Sequence, residues 1–196
     1  TELVASTPGE SEPRVLETLK GLVAMAASPD GRTIARAVAV DGDGTPYRRL
    51  GLVDVESGEV RELSDAPCLA YLWSPDGQAI ITARVDTRRN LLSWTRIGLD
   101  GSITPVAELY PSRDIGFYLR FFEQYSQSHH LMDPSGRYLL LPGNLLGHGD
   151  TDSPGRLWRV DTHNGDAEDI GDAVFKMRDR HPVVHLESSS FQVKVT

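Results

Sequence analysis

Apolar residues along the chain fall in short runs, each ended by a segment containing glycine, proline or aspartate. Leu22–Ala27, Thr33–Val40, Leu69–Trp73, Ala79–Val85 and Tyr138–Leu141 all have strand length. They are joined in pairs by one recurring turn. Ser28-Pro29-Asp30-Gly31 separates the first two runs, Ser74-Pro75-Asp76-Gly77 the next two, and an altered copy, Asp133-Pro134-Ser135-Gly136, stands between His130–Met132 and Tyr138–Leu141. Proline presets φ at the first corner, aspartate bonds its own backbone, and glycine accepts the positive φ that closes the turn. Each copy therefore predicts a β-hairpin.

A second marker follows each of the first. Val53-Asp54-Val55-Glu56-Ser57-Gly58-Glu59, Ile97-Gly98-Leu99-Asp100-Gly101-Ser102 and Val160-Asp161-Thr162-His163-Asn164-Gly165-Asp166 each lead into a return strand: Val60–Leu63, Thr104–Leu109 and Ala167–Ile170. Two hairpins per repeat make four strands. From Gly31 to Gly77 is 46 residues and from Gly77 to Gly136 is 59, and a repeat of this size carrying four strands is the signature of a propeller blade.

The expected fold class is all-β, a β-propeller of about four blades of four antiparallel strands, with a short helical insertion near 113–126. As a single domain over 1–196 it divides into a half blade at 1–20, blades at about 21–64, 65–109 and 127–170, and an irregular last blade at 171–196. The first hairpin, Leu3–Ser6 with Arg14–Leu16, reads as the second half of a blade. Val174–Met177, Val183–Leu186 and Phe191–Val195 read as strands without the turn motif. Such a ring closes by pairing its ends, is completed by a second copy as a homo-oligomer, or is part of a larger ring.

Composition narrows the partners. Hydrophobic residues make up 39% and charged residues 24% of the chain, ordinary values for a folded soluble domain, and 18 glycines with 12 prolines suit many short strands. The net charge of −8 comes from dispersed acids with no basic stripe, which excludes nucleic acid as an expected partner. No apolar segment approaches the roughly 18 residues of a membrane helix, so membrane insertion is not expected. Cys68 is the sole cysteine and sits beside Leu69-Ala70-Tyr71-Leu72, which predicts a buried structural thiol rather than a reactive one.

Strand order locates the working face. In an antiparallel blade the first and third turns share one side, and the middle turn and the blade-to-blade connections share the other. The recognised first and third turns are all short. Length varies on the opposite side: Asp41–Tyr47, Asp86–Asn90, Gly143–Gly155 and the connection Leu109–His129. Long loops on a rigid scaffold are where binding usually sits.

In that connection Phe117, Tyr118, Phe121, Phe122 and Tyr125 fall on one face of a short helix. Two readings stand: the aromatics plug the propeller as core, or part of the cluster is exposed as a binding hot spot. With His129, His130, His148 and Asp150 they form the candidate partner-binding set. His129 and His130 are adjacent on a strand and point opposite ways, and no tight ligand spacing is present, so no metal or cofactor is expected. His181 and His185 read as surface residues, and the Asp41–Gly44 and Gly147–Asp152 runs as solvated turns lacking the calcium-loop pattern. The chain has no Gly-x-Ser-x-Gly elbow and no phosphate-binding glycine loop.

Trp73-Ser74-Pro75-Asp76-Gly77 resembles the motif of the TolB-like, or WD40-like (PD40), β-propeller repeat family, over about residues 1–170. The resemblance implies a bacterial protein, exported or periplasmic. Its members include Tol-system proteins, propeller halves of prolyl-oligopeptidase-type peptidases and metal-dependent oligogalacturonate lyases. Lys176-Met177-Arg178-Asp179-Arg180 departs from the motif where another Trp-Ser-Pro would stand. The expected function is a non-catalytic scaffold binding a protein or peptide through its loop-bearing face. The alternatives are a metal-assisted enzyme of polysaccharide-lyase type using a channel histidine, and the propeller part of a longer peptidase.

Overall fold

The computed structural model describes residues 2–5, 14–21, 23–39, 47–111, 113–120, 122, 131–147, 156–178 and 181–186. The side chains of 113, 114, 117, 120, 172–178 and 181–186 fall outside that description. The architecture is all-β with a single described helix.

β1 (Glu2–Ala5) and β2 (Arg14–Thr18) form an antiparallel pair. β3 (Val23–Ala27), β4 (Thr33–Ala39), β5 (Tyr47–Asp54) and β6 (Val60–Ser64) form a four-stranded antiparallel sheet in sequence order. β7 (Ala70–Trp73), β8 (Ala79–Asp86), β9 (Leu91–Gly98) and β10 (Ile103–Pro111) repeat that order. Their sheet continues through β11 (Tyr138–Leu145), β12 (Arg156–Asp161), β13 (Ala167–Arg178) and β14 (His181–Leu186) into eight strands. Between β10 and β11 lies helix α1 (Arg113–Arg120).

Burial explains why the middle strands read as continuous apolar runs rather than alternating ones. From Ala79 to Ala83 every residue of β8 is buried, because both faces of the sheet are covered. The outer strand β6 begins Val60-Arg61-Glu62 with all three exposed. Side chains and one backbone bridge join the sheets. Tyr47 and Cys68 exchange backbone hydrogen bonds (3.2 and 2.9 Å), the Trp73 indole donates to the Ala26 carbonyl at 2.9 Å, and the Tyr71 hydroxyl donates to the Ala35 carbonyl at 3.2 Å. The tryptophan of the repeated motif thus ties one sheet to the previous one.

The third repeat departs from the first two. Of the expected inner strand at His130–Met132, His130 lies outside the described residues, and Met132 forms an isolated bridge with Leu139 on an edge of β11 that another segment also uses. Leu109, Tyr110 and Pro111 at the end of β10 pair with Leu145, Asn144 and Gly143. The β10–α1 connection therefore leaves from partway along that edge.

Candidate functional site

The motif turns form one side of the molecule. In the first two copies the serine hydroxyl donates to the aspartate (Ser28 to Asp30 at 2.6 Å; Ser74 to Asp76) and accepts a backbone N–H, from Thr33 at 3.0 Å and Ala79 at 2.9 Å. In the third copy the two residue types exchange places and the bonds survive. Ser135 donates to Asp133 at 2.6 Å, and Asp133 takes the Tyr138 N–H at 2.8 Å. Gly31, Gly77 and Gly136 have φ of 71°, 68° and 73°.

These turns are bonded to the Gly-containing turns of the same repeats. Val55 N–H donates to the Arg32 carbonyl (2.9 Å), Leu99 to Gln78 (3.2 Å) and Thr162 to Arg137 (2.8 Å). The first and third turns of a repeat therefore share one face, as the topological argument requires. Successive repeats also touch here: a Cβ on Gly77 would lie 3.6 Å from Pro29, and one on Gly136 3.1 Å from Pro75.

The carboxylates on this face are engaged. The Ser28 hydroxyl holds Asp30 below the usual carboxylate range, as Ser102 does for Asp100. For Asp76 and Asp133, burial opposes ionisation and is overcome by hydrogen bonds from Ser74 and Ser135 respectively. Acids committed to their own turns are poor metal ligands or proton carriers. Among the described residues no group of three or more His, Cys, Asp or Glu is arranged to hold a metal ion.

The opposite side carries the β8–β9 turn, α1 and the approaches to the longer loops. The Asp86 carboxylate accepts the backbone N–H groups of Arg88 and Arg89 (3.0 and 3.1 Å), and Asn90 closes the turn with φ of 52°. Of the expected site residues, Tyr118 and Phe122 are 0% and 1% exposed and belong to the main core. Phe122 meets the Tyr47 ring edge-on at 5.7 Å between centroids and the Tyr71 ring at 5.0 Å. It thus touches rings from strands of two different sheets. For these two residues the core reading holds. The Phe117 side chain, Phe121, Tyr125, His129, His130, His148 and Asp150 lie outside the described residues.

Counting aromatics alone left out two aliphatic members of the helix face. The buried stripe is Ile115, Tyr118, Leu119 and Phe122, all at most 1% exposed, with positions i, i+3, i+4 and i+7. Ile115 and Leu119 were legible as apolar members of that period.

A second feature went unread. Arg36, in the apolar strand β4, is wholly buried. Its guanidinium pairs with Glu17 of β2 (2.9 Å) and Glu62 of β6 (2.7 Å), and donates to the Arg49 carbonyl of β5 at 2.5 Å. Arg49, at φ 54°, bends β5 next to the Leu50–Gly51 bulge, and Gly51 leaves room for the guanidinium: a Cβ there would lie 2.6 Å from it. Burial disfavours the Arg36 charge, but the hydrogen bonds it donates to Glu62 and Glu17 outweigh it and raise the pKa. Every donor direction is used, so this is a structural knot. A shallow depression beside it is lined by Arg49, Glu62, Leu63, Ser64 and Asp65.

No family model matches the chain, and no curated protein does. Solved structures do. TolB from Acinetobacter baumannii matches at 14% identity over 96% of this chain and 44% of its own, with a TM-score of 0.49. The β-propeller domain of the Trilobed protease from Pyrococcus furiosus, described as having an open velcro topology, matches at 16% over 76% and 42%, with 0.49. Oligogalacturonate lyase from Vibrio parahaemolyticus matches at 16% over 86% and 42%, with 0.55. The chain spans less than half the length of each of these structures. The likeness establishes the fold, a β-propeller, and at these identities nothing about activity.

Proposed function

We propose that the chain is a non-catalytic β-propeller scaffold that binds a protein or peptide through its loop-bearing face, around residues 112–131 and 146–156. One observation carries this reading: the motif turns bond internally and to the Gly-containing turns of their own repeats, so their polar groups are spent on structure. Strand order assigns the variable connections, and the insertion between β10 and β11, to the other side. TolB, the peptidase propeller and the lyase share only the fold with this chain, and none of them selects its partner.

The test begins with a peptide selected from a displayed library against the immobilised full chain, its affinity measured by titration calorimetry. Phe121→Ala with Tyr125→Ala weakens binding at least about tenfold, the effect of losing a hot-spot contact. Asp54→Asn with Asp100→Asn on the turn face leaves it unchanged. The reverse pattern overturns the reading.

A further inference from the structure

Met25 in β3 and Tyr71 in β7 hold the same place in their repeats, three residues before the motif serine and paired with Arg36 and Thr82 respectively. Their surroundings differ. Tyr71 is wholly buried and its hydroxyl bonds to the first sheet at the Ala35 carbonyl, whereas Met25 is 42% exposed. Ala27, two residues on, is exposed as well.

The cause is what lies beside each strand. β1–β2 stands where a blade preceding the first repeat would be: Glu17 reaches Arg36 of β4, and the Arg14 guanidinium donates to the Val55 and Glu56 carbonyls after β5. It has two strands where β3–β6 has four, and among the described residues β1 pairs with β2 alone. In the strand order of the repeat β1 and β2 are the third and fourth strands, which puts the open edge of β1 on the side of β3. A whole blade would cover Met25 and Ala27 with its two inner strands.

β13–β14 has the form required. β13 runs for 12 residues but pairs with β12 only as far as Asp172, and from Ala173 to Arg178 its partner is β14. By register Ala173, Phe175 and Met177 share one face with Leu186, Val184 and Pro182, so that face is apolar throughout, while Lys176, Arg178, His181 and His185 fall on the other. Past Pro182, which has no N–H, the four residues Val183–Leu186 match the four of β1. Two strands by themselves are marginal in water. Within one chain, no ladder among the described residues joins β14 to β1.

We propose that a second copy of this chain supplies the missing half blade: β13–β14 of one copy lays its apolar face on Met25 and Ala27 of the other and pairs β14 with β1, completing a four-stranded sheet. Reciprocal exchange between two copies fills both gaps and closes the assembly as a dimer. This contact is separate from the loop-bearing face and stands whether or not that face binds a peptide.

Sedimentation of the full chain gives the mass in solution, and the expected species is a dimer. Phe175→Asp puts a charge on the apolar face and yields a monomer that still melts cooperatively. A bismaleimide reagent identifies the contact, since the buried Cys68 does not react. Met25→Cys copies co-expressed with Phe175→Cys copies give a covalent pair containing one of each, neither variant alone is linked, and a chain carrying both substitutions is linked to a second copy. A monomeric unaltered chain, a dimer that survives Phe175→Asp, or a doubly substituted chain linked only to itself each overturns the proposal.

Discussion

Replacing Arg36 by methionine keeps most of the side-chain volume and removes the charge. Arg36 has no exposed side-chain surface, Glu17 keeps 15% and Glu62 keeps 48%. Removing one member of a buried ion pair costs about 3–5 kcal/mol, because the partner charge is left in low dielectric. Glu62 is half-exposed and rehydrates, so its side of the pair contributes near the surface value of about 0–1 kcal/mol. Glu17 is the stranded group. The expected loss for Arg36→Met is therefore about 3 kcal/mol, near the lower end of the buried range, equivalent to about 6–12 °C in Tm for a chain of this size. Urea unfolding at pH 7 with an unchanged slope measures it. A loss under about 1 kcal/mol would refute the reasoning. The acid limb gives an independent check. Arg36 holds Glu62 below the usual carboxylate range, so the stabilisation it contributes is present above the unfolded value of about 4.3 and is lost as pH falls through the lower folded value. The wild type should lose stability over that window more steeply than Arg36→Met does.

Gly51→Ala places a Cβ against a guanidinium fixed by two carboxylates and should cost about 1–3 kcal/mol by the same unfolding assay. The double exchange Asp133→Ser with Ser135→Asp rebuilds the first two turns' arrangement in the third and should leave stability within about 0.5 kcal/mol, whereas Ser74→Ala removes the buried acceptor of the Ala79 N–H and costs about 1–2 kcal/mol. Burial pushes the Cys68 thiol up to about 12, so at pH 8 it stays protonated and should react with a disulfide reagent only at the rate of unfolding; fast stoichiometric labelling of the folded chain would contradict the burial.

The hairpins were legible because their chemistry is local. Serine, proline, aspartate and glycine build a turn within a few residues, and even the Asp133–Ser135 exchange keeps the same bonds. The side on which the turns cluster followed from strand order alone. Two things were hidden for non-local reasons. Arg36 reads as an intruder in Thr33-Ile34-Ala35-Arg36-Ala37-Val38-Ala39, and only folding brings Glu17, Glu62 and the bend at Arg49 around it. The inner strand of the third repeat was expected at His130–Met132, but the long β10 competes for the same edge of β11 and takes its far end. The helix was legible as an element. Its buried stripe joins Tyr118 and Phe122 with the aliphatic Ile115 and Leu119, which a count of aromatics leaves out.

Hydrogen exchange measured by mass spectrometry, with and without the selected peptide, tests the division of faces most directly. The expected outcome is protection gained over 112–131 and 146–156, with exchange at 28–33, 74–79 and 133–138 unchanged. Protection concentrated on those three turns, with the insertion unaffected, would contradict it.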